Sequence, residues 1–242
     1  MMNRVSASIF LCYNADRGEN KMDEYVSKLK QLLRYEAGRP GRMCGVYDYT
    51  QKKFAFRSIC RAGGSLSEAN VNRIYDTGCF YADNLGESFS AEEIIETEGC
   101  FYALKYCVEH MDERITPEYV KEILCRLYPG ALIYMSDELS AFVIESGIPV
   151  KLKEVVDFHI RFIQYGGDSR VASLISYMQC INANLIPFII HSENQETYER
   201  YIKISCAGSA FSEMYRVKLC SLLKVEQDRY KEETEPLVIN QV

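Results

Sequence analysis

Residues 157–190 read DFHIRFIQYGGDSRVASLISYMQCINANLIPFII. With Leu152, Val155 and Val156 just upstream, Phe162 and Ile163 keep a helical apolar spacing, so 151–164 predicts one amphipathic helix. Tyr165-Gly166-Gly167-Asp168-Ser169 interrupts it. Val171, Leu174, Ile175, Met178 and Ile181 then restart the 3.6-residue period, predicting a second helix from Arg170 to Asn182. Two glycines let the backbone turn tightly, and Asp168 or Ser169 offers a side-chain oxygen to the first amides of the next helix. A helix start of this kind favours anions, and Arg170 adds a planar fork of donors suited to phosphate. Gly167, Asp168, Ser169 and Arg170 are therefore the candidate nucleotide- or anion-binding set. Most Gly-Gly-Asp-Ser turns only connect helices, so the turn needs context.

Helical signals surround it. Met22 to Tyr35 places Met22, Val26, Leu29, Leu32 and Leu33 on one face before Gly38-Arg39-Pro40-Gly41 breaks the pattern. A helix from about Ala91 to His110 carries Ile94, Ile95, Phe101, Leu104 and Cys107. Thr116 caps the next, with Pro117 at its first position and Val120, Ile123, Leu124 and Leu127 inward, until Tyr128-Pro129-Gly130. Residues 131–150 are the least helical, and Phe142–Val150 predicts a short strand or hairpin. Ser192 with Gln195 predicts a capping box, and a last helix runs from Ser212 to Tyr230. The expected class is all-α, a helical bundle with at most a short β-hairpin. It divides into an N-terminal extension (1–21), one domain (22–232) and a polar tail (233–242).

Composition narrows the function. The 28 Lys and Arg against 34 Asp and Glu give a net charge of -6, the wrong sign for a nucleic-acid binder. No apolar run reaches the about 18 residues that span a bilayer. Val5 to Cys12 is too short for a signal h-region, and Phe10-Leu11 before Cys12 do not fit a cleavage site. A cytoplasmic protein is expected. Ten cysteines are scattered without a Cys-x-x-Cys pair, and the three histidines keep no ligand spacing with them. No metal site is expected, and the thiols read as small apolar side chains in a reducing compartment.

Several blocks, in order along the chain, resemble the Fic (Fic/Doc, or Fido) family of bacterial protein-AMP transferases. They are Gly45 to Ser67 (GVYDYTQKKFAFRSICRAGGSLS), Thr77 to Tyr106, Arg114 to Leu127 (RITPEYVKEILCRL), the Asp157–Ile190 stretch and Ser192 to Tyr230, which together cover about Met22 to Tyr230. The resemblance implies a Fic/Fido-type helical bundle. It also implies AMP transfer from ATP to a target hydroxyl through a loop His-Pro-Phe-x-Asp/Glu-Gly-Asn-Gly/Lys-Arg, whose His is the base and whose acid holds Mg²⁺.

The chain departs from that pattern. Arg161-Phe162-Ile163-Gln164 runs directly into Tyr165-Gly166-Gly167-Asp168-Ser169-Arg170, so the Ile-His-Pro-Phe portion is absent. Gly166 stands in the place of the metal carboxylate, Asp168 replaces Asn, Ser169 replaces Gly, and only Gly167 and Arg170 persist. A positioned general base supplies about 10²–10⁴ in rate, and the metal carboxylate adds charge stabilisation. His159, on the preceding helix, is the weak candidate for a relocated base. The family's inhibitory motif, Ser/Thr-x-x-x-Glu-Gly/Asn, matches Ser58-Ile59-Cys60-Arg61-Ala62-Gly63, where Ala62 replaces the Glu and Arg61 is an unusual cation. Only residues 128–150 remain for the target-aligning hairpin flap.

Two functional readings follow. One is a catalytically inactive Fic-fold pseudoenzyme that works by binding a protein partner, with no cofactor. The alternative is an active nucleotidyl- or phosphotransferase using ATP and Mg²⁺ at a rearranged site of Arg170 with His159 or Asp168.

Overall fold

The structure is a computed structural model that describes residues 24–39, 45–80 and 89–239. The expected extension 1–21, Met22, Pro40-Gly41, Cys12 and Cys44 lie outside the described residues. Ten helices follow one another in the described chain, and no strand is found there. Residues 24–37 form α1, with Val26, Leu29 and Leu33 buried at the spacing the sequence predicts. Then come α2 (Val46–Arg61) and α3 (Glu68–Thr77), the latter capped by Ser67. Next are α4 (Ala91–Glu109), capped by Ser90, and α5 (Pro117–Leu127), capped by Thr116 with Pro117 in its first turn. After α6 (Asp137–Glu145) come α7 (Leu152–Gln164), α8 (Ser169–Asn182), α9 (Ser192–Cys206) and α10 (Ser212–Ile239).

The organising element is α8. Every residue from Val171 to Ile181 except Ser173 is buried, as for a helix enclosed on all sides. Its Val171, Leu174, Ile175 and Met178 join the larger core with α1 to α5, while Cys180 faces a smaller core built from Val155, Val156, Ile160, Tyr198, Leu219 and Leu223. Hydroxyls stitch the two long-range partners together. Tyr230 of α10 bonds both Thr50 of α2 (2.8 Å) and Tyr177 of α8 (2.7 Å), and Thr234 bonds Tyr25 of α1 (2.6 Å). Each of these hydroxyls thus keeps a partner, which avoids the penalty of about 1–3 kcal/mol for an orphan.

Three expectations are corrected. Phe142–Val150 is not a strand: Ser136 caps α6, Asp137 and Glu138 sit in its first turn, and Leu139, Phe142 and Val143 are buried at i, i+3 and i+4. Ile148 and Val150, at the end of that segment, are exposed. Ser192 is not the cap of α9. His191 holds that position without a side-chain cap bond. The last helix does not end at Tyr230: α10 continues through Pro236 to Ile239, with Thr234 and Val238 buried. Cys100, Cys107 and Cys180 do fill the core, and burial pushes their thiols up to about 11, 12 and 12. Cys79 and Cys125 are exposed and do not. No described helix is long and apolar enough to cross a membrane.

Candidate functional site

The glycine turn joins α7 to α8 as the sequence predicts. Gly166 adopts φ +84°, a left-handed conformation natural only to glycine. At Gly167 a Cβ would lie 2.2 Å from the Phe162 ring, so the absence of a side chain lets the turn lie flat on Phe162. The Gly167 amide donates to the Phe162 carbonyl at 2.9 Å.

Asp168 then closes the helix start against outside anions. Its Oδ1 accepts from the Arg170 and Val171 amides at 2.7 and 3.1 Å, so the chain's own carboxylate takes the donors that a phosphate would use. Its Oδ2 accepts from the Tyr128 hydroxyl. Ser169 contributes no such side-chain bond. Its carbonyl accepts from Arg61 and from the Ser173 hydroxyl.

Arg170 is committed inward. Its Nη1 pairs with Glu96 of α4 at 2.8 Å, and its Nε donates to the Tyr128 hydroxyl at 3.1 Å, with a second bond from Nη2. The guanidinium also lies 4.6 Å from the Tyr128 ring centre and is 8% exposed. Burial pulls its pKa down, but the Glu96 pair overrides this and holds it above the ordinary arginine range. Burial and the bond to Asp168 likewise raise the Tyr128 hydroxyl.

His159 lies in the core and has no exposed surface. Its Nδ1 is 2.9 Å from the Ser176 hydroxyl and its Nε2 is 2.5 Å from the Tyr198 hydroxyl. Burial, reinforced by the Arg61 charge, lowers its pKa from 6.5 to about 3. The imidazole is neutral, with both nitrogens occupied, two turns of helix before the glycine turn.

The segment matching the inhibitory motif ends α2. Ser58 is buried, whereas Ala62 and Gly63 are exposed. Arg61 is the residue that reaches α8, donating to Ser173 Oγ at 2.7 Å and to the Ser169 carbonyl at 3.3 Å, and lying 5.1 Å from the Tyr198 ring centre. The sequence flags Arg61 by its chemistry, but it gives no sign of Glu96 or Tyr128, which come from elements remote in the chain. A further cluster carries no sequence signal: His191 is buried with its Nδ1 2.5 Å from Glu226 and its Nε2 3.3 Å from Glu233. Among the described residues, no group of three or more His, Cys, Asp or Glu could hold a metal ion.

The arrangement of helices has close parallels among solved structures. A Fic-domain-containing signalling protein from Bacteroides thetaiotaomicron superposes with a TM-score of 0.66 at 14% identity, over 90% of this chain and 97% of that one. The fold is that of Fic-domain proteins. Fic-1 from C. elegans gives the same result, with a TM-score of 0.58 at 14% identity over 97% of this chain and 79% of that chain. A variant of Fic-1 gives 0.59 at 15% identity, over 95% and 76%. No family model and no curated protein matches the sequence. The helix arrangement is thus shared at 14–15% identity, and fold alone assigns no activity.

Proposed function

We propose that this chain is a Fic-fold protein that works by binding a protein partner in the cytoplasm and does not transfer AMP. The observation that carries the reading is the self-occupation of the glycine turn. Asp168 takes two of the amide donors that open α8, those of Arg170 and Val171, and Arg170 is spent on Glu96 and Tyr128. A magnesium–nucleotide would need an anion-accepting helix start, a free arginine and a carboxylate beside the turn. Here the donors are used, the arginine is paired, and Gly166 offers no ligand, so these residues do not fit that group. Asp168 in a phosphate cradle would repel what the cradle should attract.

A rearranged transferase that draws on His159 finds less support. A base must reach the proton it takes within hydrogen-bond distance of substrate, and its pKa must lie near the working pH. His159 is enclosed, with a pKa of about 3.

The test is transfer itself. The full chain, incubated with Mg²⁺ and ATP labelled on the α-phosphate, is expected to place no covalent label on itself or on proteins of a native lysate. Label that appears and is abolished by Arg170→Ala would overturn the reading.

A further inference from the structure

Arg57 and Arg61 lie four residues apart on one face of α2 and line the same small cavity, of about 20 Å³, with Ser58, Ser173, Phe188 and Ile190. Neither forms an ion pair with a carboxylate among the described residues. Arg61 meets only neutral oxygens: the Ser173 hydroxyl, the Ser169 carbonyl and, at 3.5 Å, the Tyr198 hydroxyl. Arg57 meets less still. Its Nε is buried without a hydrogen-bond partner, and its guanidinium lies 4.9 Å from the Phe56 ring centre. His159, held neutral partly by the Arg61 charge, supplies no counter-charge.

Two like charges one helical turn apart disfavour each other, and a half-buried guanidinium without an anion is costly. Other arginines of this bundle avoid that situation: Arg170 has Glu96, Arg216 has Asp157, and Arg229 has Glu193. The cavity between Arg57 and Arg61 holds about one oxygen-sized group by volume. Its lining includes both arginines and Ser58, whose hydroxyl has no hydrogen-bond partner among the described residues, while the Ser173 hydroxyl is already donated to the Ser169 carbonyl. That pattern, with two uncompensated positive charges, matches a tetrahedral dianion better than a planar monoanionic carboxylate.

We propose that Arg57 and Arg61 form a phosphate-binding site on α2, distinct from the glycine turn, which takes one oxygen of a phosphate group into the cavity and leaves the rest at its mouth. Arg57, free of other bonds, supplies the movable half of the clamp. Arg61, anchored on Ser173 and Ser169, supplies the fixed half. The site goes beyond the binding-protein reading and does not depend on it, because phosphate binding and label transfer are separate readouts.

Titration of the full chain with inorganic phosphate at constant ionic strength, followed by calorimetry and by the rise in Tm, tests the site. The wild type should bind, and its Tm should climb with phosphate concentration. Arg57→Gln should weaken binding at least about tenfold, the loss expected for a charge-assisted hydrogen bond, and Arg57→Lys, which keeps the charge without the fork, should fall between them. Among the described residues Arg57 forms no hydrogen bond or ion pair, so both variants should fold. Adenosine monophosphate in a parallel titration distinguishes the source. Tighter binding than inorganic phosphate with the same Arg57 dependence indicates a phosphate carried on an organic body, and equal or weaker binding indicates free phosphate. No binding by the wild type up to about 10 mM phosphate, weaker than any useful site, would overturn the proposal. Binding that Arg57→Gln leaves unchanged would overturn it equally.

Discussion

Two clusters of arginine chemistry flank the start of α8, and they are built on opposite logic. On one side Arg170, Asp168, Tyr128 and Glu96 form a closed set in which Arg170 pairs with Glu96, Asp168 accepts from Tyr128, and Asp168 takes two amides of the helix start. On the other, Arg57 and Arg61 bring two cations to the underside of the same helix with no carboxylate to meet them. The closed set behaves as a structural clasp. The open pair carries charge that the fold itself does not use.

The comparison breaks first where the clasp is removed. Arg170→Ala leaves Asp168 and Glu96 facing the gap without their cation. Removing one partner of a buried pair costs about 3–5 kcal/mol, and because Glu96 is a third exposed the lower end, about 3 kcal/mol, is expected. For a chain of this size that lowers Tm by about 6–12 °C. A thermal melt showing no change would mean that Arg170 is not a clasp but a free ligand group. Gly167→Ala tests the same turn through packing. Its methyl would overlap the Phe162 ring, and overpacking of this kind costs about 1–3 kcal/mol, read as a shift of the urea midpoint at constant slope.

How far the sequence foretells these two clusters depends on distance along the chain. The fold was largely legible because its signals are local. Thr116 with Pro117, Ser136 with Asp137 and Glu138, and Asp168 at α8 each announce a helix start within four residues. At 137–150 the sequence of Phe142–Val150 suggests a strand, but burial of Leu139, Phe142 and Val143 decides for helix. The site was legible only as a set of notable residues. Arg170 stands out in the sequence, but its partners Glu96 and Tyr128 lie 74 and 42 residues away, and no period or cap links them. The same holds for His191, whose buried carboxylate partner comes from a helix 35 residues on.

His159 sharpens the comparison through pH. Its folded pKa, about 3, lies below the ordinary value of 6.5, so the unfolded chain takes up a proton first as pH falls. Stability from this group is therefore full above about pH 6.5 and is lost downward toward pH 3, at about 1.4 kcal/mol per pH unit, or roughly 2 kcal/mol between pH 7 and 5. Urea unfolding at those two pH values should show a smaller drop for His159→Gln than for the wild type, whatever the variant costs at pH 7. Equal drops would place the imidazole in contact with water, outside the core.

The smallest expected effect is the most informative about the open pair. In phosphate-free buffer Arg57→Gln removes a guanidinium that forms no hydrogen bond among the described residues, and the contact it gives up is its packing over Phe56. That contact is worth about 0.5–1 kcal/mol at an exposed position, while relief of the like charge at Arg61 returns a few tenths. The net change should lie within about 0.5 kcal/mol of zero, some six-fold smaller than the loss expected at Arg170. Two arginines beside one helix would then differ by that margin under loss of the same charged group. A loss at Arg57 as large as that at Arg170 would show that the guanidinium is already held by the fold, and the open cluster would be a second clasp.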